Sequence, residues 1–147
     1  MKISTKGRYA LRLMLDLCEH NKDEFVSLKE ISERQEISLK YLEQIVSLLG
    51  REGLLVSSRG AQGGYKLARN ADEYTIGEIL RITEGELAPT ACLIGEVNTC
   101  PRCETCLTLD FWKGLYSVIN EYVDNYTLED MRKSRQGKNE TARPLTK

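Results

Sequence analysis

The stretch "SLKEISERQEISLKYLEQIVSLLGREGLLVSSRGAQGGYKLAR", residues 27–69, decides the fold. Ser27 and Glu30 stand at capping-box spacing, where each side chain can satisfy the other's free backbone N–H. Leu28 and Ile31 then fall on one helix face. The pattern breaks at Glu36 and Ile37. Ser38 is placed to cap a second helix, in which Leu42, Ile45, Leu48 and Leu49 point inward and Gly53 marks the end. Two short helices joined by about three residues form a helix-turn-helix. Two β-prone runs follow, flanking Arg-Gly-Ala-Gln-Gly-Gly at residues 59–64, so a hairpin with a glycine-rich tip is expected.

Upstream, "KGRYALRLMLDLCEHN" carries Tyr9, Ala10, Leu13, Met14 and Leu17 at helical spacing, a first helix of about four turns. Cys18 lies beside that apolar stripe and reads as a small core residue. His20, the only histidine, falls where the helix gives way and reads as a surface turn residue. Helix, helix, helix, hairpin is the order of a winged helix. The fold class expected is mainly α with a small β-hairpin wing, extended by a long C-terminal helix.

Downstream, Thr75 and Glu78 set a second capping box opening "IGEILRITEGE". Pro89 and Pro101 argue against regular structure in the segment that follows. From Leu107 onward, Phe111, Trp112, Leu115, Val118, Ile119, Tyr122, Val123 and Tyr126 recur at three- and four-residue steps. The stripe on this long helix is richer than one small core needs, which points to cover by a second subunit, a homodimer, as well as by the chain's own first helix. "TLEDM" opens a final short helical turn and "SRQGKNETARPLTK" is a polar tail. The expected organisation is a DNA-binding region at 1–70, a cysteine loop and dimerisation helix at 71–133, and a flexible tail at 134–147.

Composition narrows the function classes. At 147 residues and 41% hydrophobic, the chain forms one globular unit or two that share a core. Its formal charge of −1 conceals an asymmetry, because residues 1–69 hold 12 Lys and Arg against 9 Asp and Glu. A basic front half suits an anionic partner. No apolar run is long enough to span a membrane, and the N-terminus lacks a signal-peptide cleavage pattern. A cytoplasmic location is expected, where clustered thiols more often bind metal or sense redox state than form disulfides. No nucleophile–base pair suggests an enzyme.

In a winged helix, the second helix of the pair offers its N-terminal, outward positions to the major groove of double-stranded operator DNA. Here these are Ser38, Lys40, Tyr41, Glu43 and Gln44. Lys40 and Ser38 suit phosphate, Gln44 suits the paired donor and acceptor of adenine, and Glu43 suits cytosine N4. Arg59 beside Gly60 suits a narrow minor groove, where negative potential is enhanced. Gly63 and Gly64 let the backbone turn close to phosphates.

The remaining feature is "CLIGEVNTCPRCETC", which places Cys92, Cys100, Cys103 and Cys106 within residues 92–106. The residues alone leave zinc and an iron–sulfur cluster both open. C-x₂-C pairs are a zinc habit, and C-x₂-C-x₂-C with a distant fourth cysteine is also a ferredoxin spacing. A thiol-based switch or a small electron-transfer protein would use the same thiols, though the latter leaves Arg59 and the wing glycines unexplained.

"MKISTKGRYALRLMLDL", "ISLKYLEQIVSLLGREGLLVSSRGAQGGYKLAR" and the run from Cys106 through "FW" to "TLEDM" resemble the IscR-type winged-helix regulators of the Rrf2 family. The resemblance implies a homodimeric transcriptional regulator, a repressor in type, whose long C-terminal helix forms the subunit interface. It implies base contacts from Tyr41, Glu43, Gln44 and Arg59. It also implies an iron–sulfur cluster, 2Fe-2S ahead of 4Fe-4S, on Cys92, Cys100 and Cys106, whose state, set by redox or nitric oxide stress, alters operator recognition. The IscR pattern has a histidine three residues after the last cysteine, where this chain has Leu109. Cys103 is an added thiol. The fourth ligand is therefore either Cys103 or a group from elsewhere.

Overall fold

The computed structural model describes residues 1–20 and 24–136. Among them are six α-helices and one two-stranded antiparallel sheet, in the order α1 Thr5–His20, α2 Leu28–Gln35, α3 Leu39–Arg51, β1 Leu55–Ser58, β2 Gly64–Leu67, α4 Ile76–Glu84, α5 Leu109–Asp124 and α6 Leu128–Gln136. The winged-helix order expected from the sequence is the one observed.

Helix ends follow the local chemistry. Ser27 and Glu30 form the full reciprocal box, with Glu30 N–H donating to Ser27 Oγ at 3.3 Å and Ser27 N–H to Glu30 Oε2 at 3.0 Å. Ser38 Oγ accepts from Tyr41 N–H at 3.3 Å and starts α3. Between them Glu36 takes the left-handed conformation that lets the chain reverse in three residues (φ 53°). The box at α4 is one-sided: Thr75 Oγ1 accepts from Glu78 N–H at 3.0 Å, while the Glu78 carboxylate turns to Arg69 at 2.7 Å.

The main core surrounds α1, whose Ala10, Leu13, Met14 and Leu17 are fully buried against Ile31 of α2 and Leu42, Ile45 and Leu49 of α3. Two distant residues complete it, Tyr74 before α4 and Leu128 of α6, both fully buried. α6 is thus a core helix resting on α1, longer than the short turn expected, and it runs to Gln136 inside the stretch read as tail. The remaining tail residues, 137–147, lie outside the described residues. A second, smaller core joins Ile76, Leu80 and Leu87 to Ile3, Leu11, Tyr116, Ile119 and Val123. The long C-terminal helix therefore packs mainly on α4, through this second core. The Arg81 guanidinium reinforces that contact, holding Asp124 at 2.6 and 2.9 Å and Asn120 at 2.7 Å.

His20 is the last residue of α1 and not a turn residue. Its Nδ1 lies 2.8 Å from the Asp16 carbonyl, one turn back. Cys18 is half-buried against the main core, and burial, with Glu129 nearby, raises its thiol above the ordinary range.

Candidate nucleic-acid interface and thiol loop

The N-terminal outward face of α3 is polar and open. Ser38, Lys40, Glu43 and Gln44 are exposed, and among the described residues none of them is in an ion pair. Tyr41 differs. It is half-buried, with its ring edge-on to Tyr9 of α1 at 5.5 Å between centroids, so it serves packing as well as the outer surface. α3 is held at this angle by its buried side, Leu42, Ile45, Val46 and Leu49.

The wing pairs Leu55 with Leu67 and Ser58 with Gly64, which leaves Arg59 and Gly60 exposed at the tip (Gly60 φ 103°). Its return strand is stitched to the segment before α2, where Val26 N–H donates to Tyr65 O at 2.9 Å and Tyr65 N–H to Val26 O at 2.8 Å. Lys66 Nζ lies 4.9 Å from the centre of the Phe25 ring. A side chain at Gly64 would strike the Val26 carbonyl, and one at Gly63 would meet backbone atoms of Arg59 and Gly60 at 2.9 Å. Both glycines thus have a reason internal to the wing: they let it close and seat on the helix pair.

The sequence reading missed the polar joint under this surface. Asp16, buried in α1, receives Arg34 and Gln35 from the end of α2, and Arg12 binds the side chain and backbone carbonyl of Gln35. The available signal was an acidic residue set within the apolar stripe of α1.

The four loop cysteines are each half-exposed. Pro101 and Arg102 sit in a turn closed by Cys103 N–H donating to Cys100 O at 3.0 Å. Cys92 Sγ lies 3.3 Å from Thr90 Oγ1, and Cys106 Sγ 3.5 Å from Thr108 Oγ1. The Thr108 hydroxyl holds the Cys106 thiol below the usual range. Asn98 Oδ1 accepts from Cys100 N–H at 2.9 Å, while its Nδ2 is buried without a partner. Four soft sulfur side chains and a spare N–H donor on the same loop fit a sulfide-containing or thiolate-bound metal group. Among the described residues no three Cys, His, Asp or Glu side chains are gathered closely enough to hold one ion, so holding such a group requires the loop to draw together.

α5 packs Tyr116, Ile119 and Val123 against the second core, holds Trp112 half-buried edge-on to Phe111, and leaves Phe111, Leu115, Val118 and Tyr122 exposed at 65, 37, 62 and 67%. No helix among the described residues is long and apolar enough to cross a membrane.

The element order and the open face of α3 beside the wing define a winged-helix protein. Residues 3–134 match the family Rrf2, described as "Iron-dependent Transcriptional regulator", and the chain belongs to that family. It is 38% identical over 136 residues to the HTH-type transcriptional regulator IscR of Pectobacterium atrosepticum, covering 92% of this chain and 82% of that one. Among solved structures, it resembles IscR of T. potens (TM-score 0.76, 37% identity, 97% of this chain and 93% of that chain). It equally resembles CymR (YrzC), described as the global cysteine regulator of B. subtilis (TM-score 0.76, 36% identity, 91% of this chain and 98% of that chain).

Proposed function

We propose that this regulator binds a two-fold operator as a homodimer, within the cytoplasm, and that residues 92–106 make the binding depend on redox or iron–sulfur status. The observation that carries the DNA contact is the open face of Ser38, Lys40, Glu43 and Gln44, with the half-buried Tyr41 at its edge, beside a wing whose tip presents Arg59. In this reading Gln44 and Glu43 read base edges in the major groove, Lys40 and Ser38 meet phosphates, and Arg59 enters the minor groove. Residues 1–70 carry those contacts, while α5 supplies the subunit interface through Phe111, Leu115, Val118 and Tyr122.

Cys92, Cys100 and Cys106, with Cys103 as the added thiol, would hold an iron–sulfur cluster, 2Fe-2S in preference to 4Fe-4S. When bound, such a group supplies sensitivity to oxidants, which remove or oxidise it. The chain's own contribution is to bring the thiols together and to tie their spacing to the helices on either side.

A second reading is a thiol switch without a cluster. It is favoured by the Thr108 contact that promotes the Cys106 thiolate and by the likeness to a structure described as a cysteine regulator. The absorption spectrum of anaerobically purified protein decides between the two, with visible bands expected for the cluster and none for the thiol switch.

The DNA assignment is tested by operator titrations at several salt concentrations. Arg59→Ala is expected to weaken binding severalfold and to lower the slope of log affinity against log salt by about 1. Gln44→Ala is expected to relax preference at particular base pairs by about 1–3 kcal/mol while leaving the slope in place. Parent-like behaviour of both variants would remove this surface from the interface.

A further inference from the structure

A single carboxylate ties the end of α4, where the thiol loop begins, to the start of α1. Glu84 is the last residue of α4, and Gly85, with φ at 81°, turns the chain from it into the loop. The side chain reaches the start of α1. Its Oε1 accepts from Ser4 Oγ–H at 2.6 Å and from Gly7 N–H at 2.9 Å, and its Oε2 accepts from Ser4 N–H at 3.2 Å. Two of these donors are backbone amides at the N-terminus of α1 and the third is the Ser4 hydroxyl, so Glu84 caps α1 from 77 residues beyond Gly7. Partial burial works against its charge, yet the Ser4 and Gly7 donors hold the carboxyl below its usual range.

The fit is steric as well as polar. Gly7 is buried, and a β-carbon there would run directly into Glu84 Oε1. The Met1 ammonium reaches Pro89 O at 3.4 Å, so the N-terminal segment rests on the loop's root at a second point. Two residues beyond Gly7, Tyr9 makes its edge-on contact with Tyr41 of α3. Loop root, Glu84, first turn of α1, Tyr9 and Tyr41 therefore form one contiguous series of contacts.

We propose that Glu84 is a positioning residue that couples the state of the cysteine loop to the seating of the recognition helix. This rests on the reading that the loop senses and α3 binds DNA. A loop that changes shape shifts the end of α4. Because Glu84 grips three donors at once, that shift moves or releases the first turn of α1, and Tyr9 carries the change to Tyr41. The structure holds the grip closed on Ser4 and Gly7, and the relay requires a second arrangement in which the carboxylate opens to water.

The test compares the full-length parent with Gly7→Ala and Glu84→Gln. Gly7→Ala displaces the carboxylate by its methyl group while favouring helix in α1; Glu84→Gln keeps the shape and removes the charge. Each protein is purified anaerobically, and operator affinity is measured before and after oxidation with diamide, alongside the melting temperature. The parent's two forms are expected to differ about tenfold or more, and the two forms of each variant by less than about threefold. Ser4→Ala, a milder opening of the same clamp, serves if either variant fails to fold. A variant that melts lower and binds more weakly in both forms, yet keeps the parent's ratio, shows a structural role only and overturns the proposal. A parent whose two forms bind alike overturns the sensing reading and the relay together. A parent that responds, with variants that respond equally, overturns the relay alone.

Discussion

Arg34 grips Asp16 through two nitrogens, with Nη2 2.7 Å from Oδ1 and Nε 3.1 Å from Oδ2, and this bidentate pair joins α1 to the helix-turn-helix. The Asp16 side chain is wholly buried and Arg34 about a third exposed. Gln35 Nε2 adds a third donor at 2.8 Å. The pair raises the already high pKa of Arg34, the direct hydrogen bonds to Asp16 being the main cause.

Removing one partner is more costly than removing both, because a lone buried carboxylate keeps its desolvation penalty. Arg34→Ala is expected to destabilise by about 3 kcal/mol, the low end for a broken buried pair, since water can partly replace the exposed arginine. Asp16→Asn combined with Arg34→Ala is expected to lose less than Arg34→Ala alone. Urea unfolding of the two single variants and the double variant gives the coupling, and additive losses would deny the pair its role.

What the sequence made legible follows from the range of each signal. Ser27, Ser38 and Gly53 mark helix ends through bonds spanning three to five residues, so the capped pair could be read locally. The wing followed from β-prone runs around glycines. Asp16 with Arg34 could not be read, because its partners lie 18 and 19 residues apart and periodicity shows only that an acidic residue shares an apolar face. Leu128 was missed for the same reason: "TLEDM" is short and polar apart from two residues, and only its packing under α1 makes it core. In the loop, the cysteines stood out by composition, but residues without a repeating pattern carry no signal for how close their side chains come.

The wing's seat predicts a clean loss of DNA binding from a small change. Gly64→Ala places a methyl group against the Val26 carbonyl and 2.9 Å from Ser27 N, both backbone atoms that cannot swing aside. The wing must lift, breaking the two hydrogen bonds between Val26 and Tyr65. A loss of about 1–3 kcal/mol in stability is expected, with weaker operator binding than that loss explains, because Arg59 moves with the wing. Gly60→Ala meets no atom but occupies a left-handed position, so its effect is expected to stay local to the tip. Operator titration and thermal melting on both variants check the contrast.

The exposed and inward faces of α5 separate association from folding. From its spacing alone, Ile119 belongs to the same rich stripe as Val118, yet it packs within its own chain against the second core, while Val118 stays open. Ile119→Asp buries a carboxylate and is expected to unfold the second core. Val118→Asp is expected to leave a folded chain and to weaken self-association a hundredfold or more, about 3 kcal/mol. Sedimentation with circular dichroism distinguishes them. A folded Val118→Asp that remains a dimer places the interface elsewhere.

The fourth thiol yields the sharpest test of the loop. Leu109, the first residue of α5, offers no ligand where the IscR pattern has histidine, whereas Cys103 shares a hydrogen-bonded turn with Cys100. A loop that draws Cys100 toward a cluster therefore brings Cys103 with it, and the four thiols Cys92, Cys100, Cys103 and Cys106 suffice for an all-cysteine site. Alanine at Cys92, Cys100 or Cys106 is expected to abolish the visible absorption of anaerobically purified protein, and Cys103→Ala to do the same. Adding Leu109→His to Cys103→Ala is expected to restore colour with a shifted spectrum, because imidazole replaces a thiolate as ligand. A Cys103→Ala protein that keeps the parent spectrum makes the fourth ligand a group other than Cys103. A colourless parent with stoichiometric zinc and no iron or sulfide removes the cluster and leaves a thiolate metal site beside the DNA-binding helices.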